Sequence, residues 1–337
     1  MARMARIALA AGWLSLAASG IGDASRAYAT LPEHPSLTAK FQLPSERSIP
    51  IMGLGVFKSK PGPETEDAVK WALEHGYRMI DTAAIYGNEA SVGKAIRESG
   101  IARKEIFLAT KLWDSAHGYD QAHKAIRKSL QELRVDYLDL YLIHSPNTGK
   151  LIETWDALID MKMSGLAHSI GVSNFGIPHL EAIKAHGREL PAVNQIEMHP
   201  LNWQERKALL EWCHENGVLV QAYGSLFFGQ QERLAEEAVT SAASAKGRTP
   251  AQVLLRWGFQ MGFQLIPKSI KKERILENSQ IFDFELSDEE MEQLSFLKGE
   301  LGAYWQPLDA PVDLGDVTFA EKKRGARSGE GARRSEM

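Results

Sequence analysis

The run LDLYLIH at 138–144, followed by Ser145 and Pro146, is a short apolar stretch that ends in a histidine. A pattern of helical period precedes it at 119–133, and another follows at 151–163. A nearly continuous apolar strand between two helices is typical of a parallel sheet that is covered on both faces. The centre of the sequence therefore predicts one unit of an α/β fold.

The same alternation extends in both directions from this run. Short runs rich in Ile, Val, Leu and Tyr occur at 51–55, 78–82, 106–110, 138–144, 168–172, 192–196, 219–222 and 264–267. Helical patterns follow them at 65–75, 88–98, 119–133, 151–163, 177–186, 203–215, 249–261 and 271–278, with further helices at 231–245 and 288–298. Eight strand–helix pairs predict a (β/α)8 TIM barrel, and an open doubly wound sheet is the alternative fold.

The domain organisation follows from the absence of any linker or composition break inside 38–310, which predicts a single barrel domain there. Ahead of the first predicted strand, 41–43 and 48–50 are expected to form an N-terminal β-hairpin across the barrel bottom. Residues 321–337 carry almost no apolar side chains, so we expect a disordered tail.

The N-terminal segment differs in composition from the rest of the chain. Arg3 and Arg6 are followed by residues 7–22 without charge and then by Ala27-Tyr28-Ala29. This order predicts a cleaved targeting segment at 1–29, either a secretory signal or a plastid or mitochondrial transit peptide. A disordered extension is the alternative. Because the apolar stretch is short and rich in Gly and Ser, we expect no membrane span in the mature chain.

The composition excludes several classes of protein. Of 337 residues, 44% are hydrophobic and 24% charged, as in globular proteins, and the net charge of −4 is unlike that of a dedicated nucleic-acid binder. The single cysteine, Cys213, excludes an internal disulfide and Cys-rich metal centres. Neither an H-E-x-x-H motif nor a calcium-type loop of paired carboxylates is present, so no metal site is predicted.

Polar side chains end seven consecutive predicted strands, at the rim where barrels carry their active sites. Four of them can act together on a carbonyl group: Asp81, Tyr86, Lys111 and His144. An ammonium lowers the pKa of a nearby phenol, and a carboxylate keeps that ammonium charged. An imidazole can orient a carbonyl oxygen, so the set predicts a tyrosine–lysine general acid that converts a carbonyl to an alcohol. Singly, each residue could be structural.

A basic segment follows the last predicted strand, at a position where barrels often bind phosphate. Four cations lie within seven residues there, namely Lys268, Lys271, Lys272 and Arg274, with Ser269 between them. This density indicates a ligand with more than one phosphate charge. A solvated basic helix face is the alternative.

Longer motifs contain these residues. They are GYRMIDTA at 76–83 with YGNE at 86–89, LATKLW at 108–113, LDLYLIH at 138–144, IGVSNF at 170–175, VNQIEMHP at 193–200 and IPKSI at 266–270. In these motifs and their order the chain resembles the aldo-keto reductase family over nearly all of 40–310, and most of all its compact diketogluconate reductase and prostaglandin F synthase type. The resemblance implies a monomeric barrel that uses NADPH/NADP+ to reduce a small-molecule aldehyde or ketone.

The resemblance also implies roles for individual residues. Tyr86 would protonate the developing alkoxide, Lys111 and Asp81 would tune it, and His144 would orient the carbonyl. Ser173, Asn174 and Gln195 would bind the carboxamide of the nicotinamide, Tyr223 would stack on its ring, and Gly224, Ser225 and Leu226 would lie along the diphosphate. Lys268, Ser269 and Arg274 would contact the 2′-phosphate, and Glu277 and Asn278 the adenine. Substrate contacts would fall on Phe57, Trp113, His144 and Trp305.

Two departures from the family pattern carry expectations of their own. Ser145 stands where the family often has Trp, and we expect it to widen and polarise the pocket. Gly224 and Ser225 replace the usual Ser-Pro beside the cofactor diphosphate. A barrel that binds cofactor without catalysis, or one that binds phosphorylated sugars, is the alternative function.

Overall fold

The computed structural model describes residues 27–44, 47–299 and 307–323. The chain begins with two short antiparallel strands, β1 (Lys40–Gln42) and β2 (Ser48–Pro50). Phe41 and Ile49 pair across them, and both side chains are buried in the core. This apolar face closes one end of the sheet described next, so the predicted N-terminal hairpin is confirmed.

Eight parallel strands form the main sheet, in sequence order across it. They are β3 (Leu54–Gly55), β4 (Met79–Asp81), β5 (Phe107–Leu112), β6 (Leu138–Ile143), β7 (Ala167–Ser173), β8 (Val193–Glu197), β9 (Leu219–Tyr223) and β10 (Gln264–Leu265). Parallel bridges from Met52 to Leu265 and from Gly55 to Lys268 join the first strand to the last. The sheet therefore closes into the predicted (β/α)8 barrel, and the open doubly wound alternative is wrong.

Helices surround the barrel and lie close to the predicted ranges. They are α1 (Pro63–Glu74), α2 (Glu89–Glu98), α3 (Tyr119–Leu133), α4 (Leu151–Met163), α5 (Ile177–Ala185), α6 (Trp203–Glu215), α7 (Gln231–Leu234), α8 (Glu237–Lys246), α9 (Pro250–Gln260), α10 (Lys272–Ser279) and α11 (Asp288–Ser295). One prediction was wrong: the single helix at 231–245 is two helices. The extended backbone of Glu236, whose side chain pairs with Arg233, separates them.

Packed chain extends on both sides of 38–310. Ala320 is fully buried in the core near the C-terminal end. At the other end the Tyr28 ring stacks on Phe263 with centroids 5.9 Å apart, and its amide donates to the Met261 carbonyl at 2.7 Å. Gly262 has a φ of 82°, and a side chain there would collide with the backbone of residues 28 and 29.

The predicted targeting segment lies outside the described residues except for 27–29, and most of the predicted disordered tail does as well. Residues 321–323, which the tail prediction included, are helical. Within the described part of the chain, no helix combines the length and the apolar character that crossing a bilayer needs.

Candidate active site

A buried ion pair occupies the C-terminal rim of the barrel. Lys111 on β5 donates from Nζ to Asp81 Oδ1 of β4 at 2.6 Å and to the Thr82 carbonyl at 2.8 Å. The side chains are 0% and 3% exposed, so neither charge is solvated as it would be at a free strand end. Burial lowers the pKa of Lys111, and the neighbouring Asp81 carboxylate opposes that shift. Hydrogen bonds and burial therefore hold both charged side chains in place.

Tyr86 and His144 lie beside this pair. Tyr86 closes a short 3-10 turn after β4, and Lys111 Nζ is 5.2 Å from the centre of its ring. The His144 ring, directly after β6, is edge-on to Tyr86 with centroids 5.6 Å apart. Burial, and then the Lys111 charge, hold the pKa of His144 well below its usual value. The structure thus brings the four predicted catalytic residues together, with the imidazole neutral.

The residues predicted to hold the carboxamide form a connected group on β7 and β8. Ser173 donates from Oγ to the Gln195 carbonyl at 2.9 Å, and Asn174 donates from Nδ2 to Ser173 Oγ at 2.9 Å. Asn174 also donates to the His144 carbonyl at 3.1 Å, which links this group to the catalytic residues. Tyr223 donates from its hydroxyl to Asn174 Oδ1 at 2.7 Å, and this bond holds its ring at the rim.

The loop after β9 contains the departure at Gly224 and Ser225. Gly224 has a φ of 70°, and an added Cβ would lie 2.9 Å from the Phe228 ring. A glycine is therefore favoured both by the backbone conformation and by the close approach of Phe228. Ser225 Oγ is buried without a hydrogen-bond partner among the described residues, and Leu226 completes the turn. Such an unsatisfied hydroxyl is suited to a phosphate oxygen.

The predicted phosphate-binding residues adjoin the catalytic rim. Gly55 on β3 pairs with Asp81 on one side and bridges to Lys268 on the other. With neighbouring strands about 4.8 Å apart, the backbones of Lys268 and Asp81 are about 10 Å apart. Ser269 accepts at Oγ from the Lys271 amide at 3.1 Å. The basic segment therefore lies beside the ion pair, two strands away around the barrel.

The remaining predicted cofactor residues lie on α10. Arg274 is exposed, whereas Asn278 is 4% exposed. Glu277 accepts at Oε1 from the Thr249 hydroxyl at 2.6 Å, so one of its oxygens already stabilises the start of α9. Lys272, counted in the basic cluster, lies 3.7 Å from Glu74 and is partly neutralised by it.

Aromatic side chains form the wall of the predicted substrate site. The Phe57 ring lies 5.0 Å from the Tyr86 ring, and the Trp113 ring lies 5.0 Å from His144, edge-on. Both residues are half-buried, so part of each residue remains accessible to solvent. Trp305, the fourth predicted substrate contact, lies outside the described residues.

Ser145 does not polarise the pocket as its small polar side chain suggested. The residue is fully buried, and its hydroxyl donates to Asp114 Oδ1 at 2.5 Å. Thr148 donates to the Asp114 carbonyl at 2.7 Å in the same region. The Ser145 hydroxyl is thus used to hold the segment after Trp113 against the segment after His144.

Three contacts at this site were not predicted from the sequence: those of Thr82, Asp114 and Gln221. Thr82 acts through its backbone carbonyl, which no side-chain pattern reveals. Gln221 pairs in register with Gln195 and accepts a hydrogen bond from its amide. A polar residue inside an otherwise apolar strand is the signal that could have identified it.

Two other features of the described residues bear on the chemistry. Cys213 on α6 is fully buried, and burial raises the pKa of its thiol to about 12, so it is not a nucleophile at neutral pH. Across 27–44, 47–299 and 307–323, no group of three His, Cys, Asp or Glu side chains could hold a metal ion.

A closed parallel barrel with a buried lysine–aspartate pair, a tyrosine and a neutral histidine at its C-terminal rim defines an enzyme of the (β/α)8 class. The family model described as "Aldo/keto reductase family" matches residues 51–297. The chain belongs to the aldo/keto reductase family, as its motifs indicated.

Curated relatives agree with this assignment. Glyoxal reductase of Bacillus subtilis is 45% identical over 262 residues, covering 78% of this chain and 94% of that protein. The 9,11-endoperoxide prostaglandin H2 reductase of Trypanosoma cruzi is 42% identical over 250 residues, covering 74% and 88%.

Solved structures share the fold. An aldo/keto reductase from Brucella melitensis has a TM-score of 0.73 and 42% identity, over 77% of this chain and 98% of that one. A Bombyx mori aldo-keto reductase, solved in complex with NADP, has a TM-score of 0.75 and 35% identity, over 84% and 100%.

Proposed function

We propose that this protein reduces an aldehyde or ketone to the alcohol with NADPH, with Tyr86 as the general acid. The observation that carries the proposal is the buried Lys111–Asp81 pair with the Tyr86 ring 5.2 Å from the ammonium and His144 beside that ring. A structural ion pair alone would not need a half-exposed phenol and a neutral imidazole at its open side.

Each residue has a defined task in this scheme. Tyr86 donates its hydroxyl proton to the carbonyl oxygen as that oxygen gains negative charge. Lys111 stabilises the phenolate that remains, and Asp81 with the Thr82 carbonyl keeps the ammonium charged and in place. The neutral His144 donates from a ring nitrogen and orients the carbonyl oxygen. Phe57 and Trp113 exclude water from the reacting atoms.

The rim residues fit a nicotinamide dinucleotide phosphate. The Ser225 hydroxyl, which has no partner among the described residues, and the exposed cations Lys268 and Arg274 suit phosphate oxygens. Tyr223 provides an aromatic face beside Asn174 and Gln195. NADPH, when bound, supplies the hydride, and the carbonyl gains one hydride and one proton to become the alcohol. The NADP in the Bombyx mori structure supports this cofactor.

The substrate we propose first is a small dicarbonyl such as glyoxal. The name of the Bacillus subtilis relative supports this class, whereas that of the Trypanosoma cruzi relative supports a lipid substrate with an apolar chain. Initial rates with glyoxal, benzaldehyde and a long-chain aldehyde would show whether the small dicarbonyl or the apolar substrate is preferred. A monomer and a targeting segment at 1–29 stay predictions, which gel filtration and sequencing of the mature N-terminus would test.

The test is to compare wild type with Tyr86→Phe, which removes only the proton donor. We expect carbonyl reduction to fall by about 10²–10⁴-fold, while NADPH still quenches tryptophan fluorescence. Equal NADPH consumption by both proteins would refute the acid role. Binding without consumption in wild type would favour a non-catalytic barrel, and no fluorescence change on adding NADPH would favour a phosphorylated sugar as ligand.

A further inference from the structure

Three glutamines form a connected row of amides inside the barrel. Gln221 on β9 pairs in register with Gln195 on β8 and with Gln264 on β10. The three residues are 3% exposed or less. Neighbouring strands are about 4.8 Å apart, so in-register amides lie within hydrogen-bonding distance of one another. We refer to Gln195, Gln221 and Gln264 as the amide ladder.

The hydrogen bonds of the amide ladder run in one direction, from Gln195 to Gln264, and the acceptors around Gln264 determine that direction. Gln264 Nε2 faces the Pro50 carbonyl at 3.0 Å and the Leu265 carbonyl at 3.2 Å, and carbonyl oxygens only accept. Gln264 Oε1 therefore faces Gln221, whose Nε2 donates to it at 2.6 Å. The Oε1 of Gln221 is thereby turned toward Gln195.

The upper end of the ladder reaches the catalytic rim. Gln195 donates from Nε2 to Gln221 Oε1 and to Asp81 Oδ2, the latter at 2.9 Å. Both hydrogens of the Gln195 amide are thus used by acceptors inside the barrel. A terminal amide has two donors and one acceptor group, so Oε1 is what Gln195 offers to a ligand.

We propose that Gln221, supported by Gln264, is a positioning residue that fixes the Gln195 amide with Oε1 presented to the carboxamide NH2 of the nicotinamide. The inference rests on the proposed function. Without Gln221, the Gln195 amide would donate one hydrogen to Asp81, and its second N–H would have no acceptor inside the barrel. The amide could then turn this donor toward the ligand and lose its preference for an NH2 group.

The experiment compares two ligands that differ at the NH2 group alone. NADP+ carries the carboxamide, whereas 3-acetylpyridine adenine dinucleotide phosphate has a methyl group in place of NH2. Dissociation constants come from quenching of tryptophan fluorescence, and the readout is the ratio of the two constants. We expect wild type to prefer NADP+ by about tenfold, which corresponds to about 1.4 kcal/mol. In Gln221→Met the ratio falls to below three, because NADP+ binding weakens and analogue binding does not.

Variants keep this test decisive. If Gln221→Met does not fold, the double variant Gln221→Met/Gln264→Met replaces both hydrogen-bonded partners by side chains of similar shape, and the same loss of preference is expected. Tyr141→Phe removes a hydroxyl from an equally buried barrel residue and serves as the matched control that keeps the wild-type ratio. A folded ladder variant with an unchanged ratio would overturn the inference.

Gln195→Met separates the inference from the proposed function. It should abolish the preference for NADP+ completely, because it removes the contacting group itself. If Gln195→Met keeps the preference, the predicted carboxamide contact is wrong. If Gln195→Met loses it while the ladder variants keep it, the contact stands and only the positioning role of Gln221 is wrong.

Discussion

The Lys111–Asp81 pair makes a quantitative prediction for stability. Charges 2.6 Å apart and at most 3% exposed attract each other by about 6 kcal/mol at an effective dielectric constant of about 20. Desolvation of the two ions offsets much of this energy, but removing one partner leaves the other charge buried and unpaired. We therefore expect Asp81→Asn or Lys111→Met alone to lower the free energy of unfolding by about 3–5 kcal/mol.

The double variant Asp81→Asn/Lys111→Met removes both charges, so it leaves no unpaired ion. Its loss should be smaller than the sum of the single losses by about 3 kcal/mol. Urea unfolding at pH 7, followed by circular dichroism, measures all four proteins. Carbonyl reduction should fall by about 10²–10⁴-fold in each variant, because the proton donor loses its charged neighbour or the support of that neighbour.

A double loss that equals the sum to within about 0.5 kcal/mol would refute this reasoning. It would mean that the two side chains contribute independently, as a solvated strand end and a separate turn cap would. Recovery of stability without recovery of activity is the expected combination, since the apolar replacement cannot support a proton donor.

Three further predictions concern single positions. Because His144 stays neutral in the fold, the free energy of unfolding should decrease as pH falls below about 6.5, and His144→Gln should reduce that slope by up to 1.4 kcal/mol per pH unit in pH-dependent urea titrations. Gly224→Ala should lower the free energy of unfolding by more than the roughly 1–2 kcal/mol of backbone strain expected for Gly229→Ala, whose added Cβ contacts none of the described residues. Equal losses in thermal unfolding would argue against the Phe228 contact. Arg274→Leu should raise KM for NADPH about tenfold and leave KM for NADH unchanged, and parallel changes in the two would contradict a 2′-phosphate contact.

Local patterns predicted most of the barrel. The predicted ranges for α3, α4 and α6 coincide with the observed helices because apolar residues recur at helical spacing over many residues. The break between α7 and α8 was missed because one extended residue, Glu236, interrupts an otherwise helical composition. The first strand is shorter than predicted, since only Leu54–Gly55 pairs continuously.

The site was predictable as far as residue type and strand position determine it. Placing polar residues at the ends of β4, β5 and β6 sufficed to bring Asp81, Lys111 and His144 together. The direction in which a side chain points beyond the end of its strand could not be predicted in the same way. Ser145 was expected at the pocket surface, but its hydroxyl bonds to Asp114, a partner that depends on how two loops meet. The amide ladder likewise depends on the register of three strands, which local sequence does not contain.

The contacts of Tyr28 place a timing constraint on any maturation of the chain. Its amide and carbonyl are both hydrogen-bonded, to Met261 and His214, and its ring covers Phe263. A peptidase that cuts after Ala29 needs this segment extended and accessible. If residues 1–29 are a cleaved targeting segment, as the sequence predicts, folding of the barrel competes with the cut. A chain that folds first would keep residues 1–29, and a chain that is cut first would fold without the Tyr28 stack.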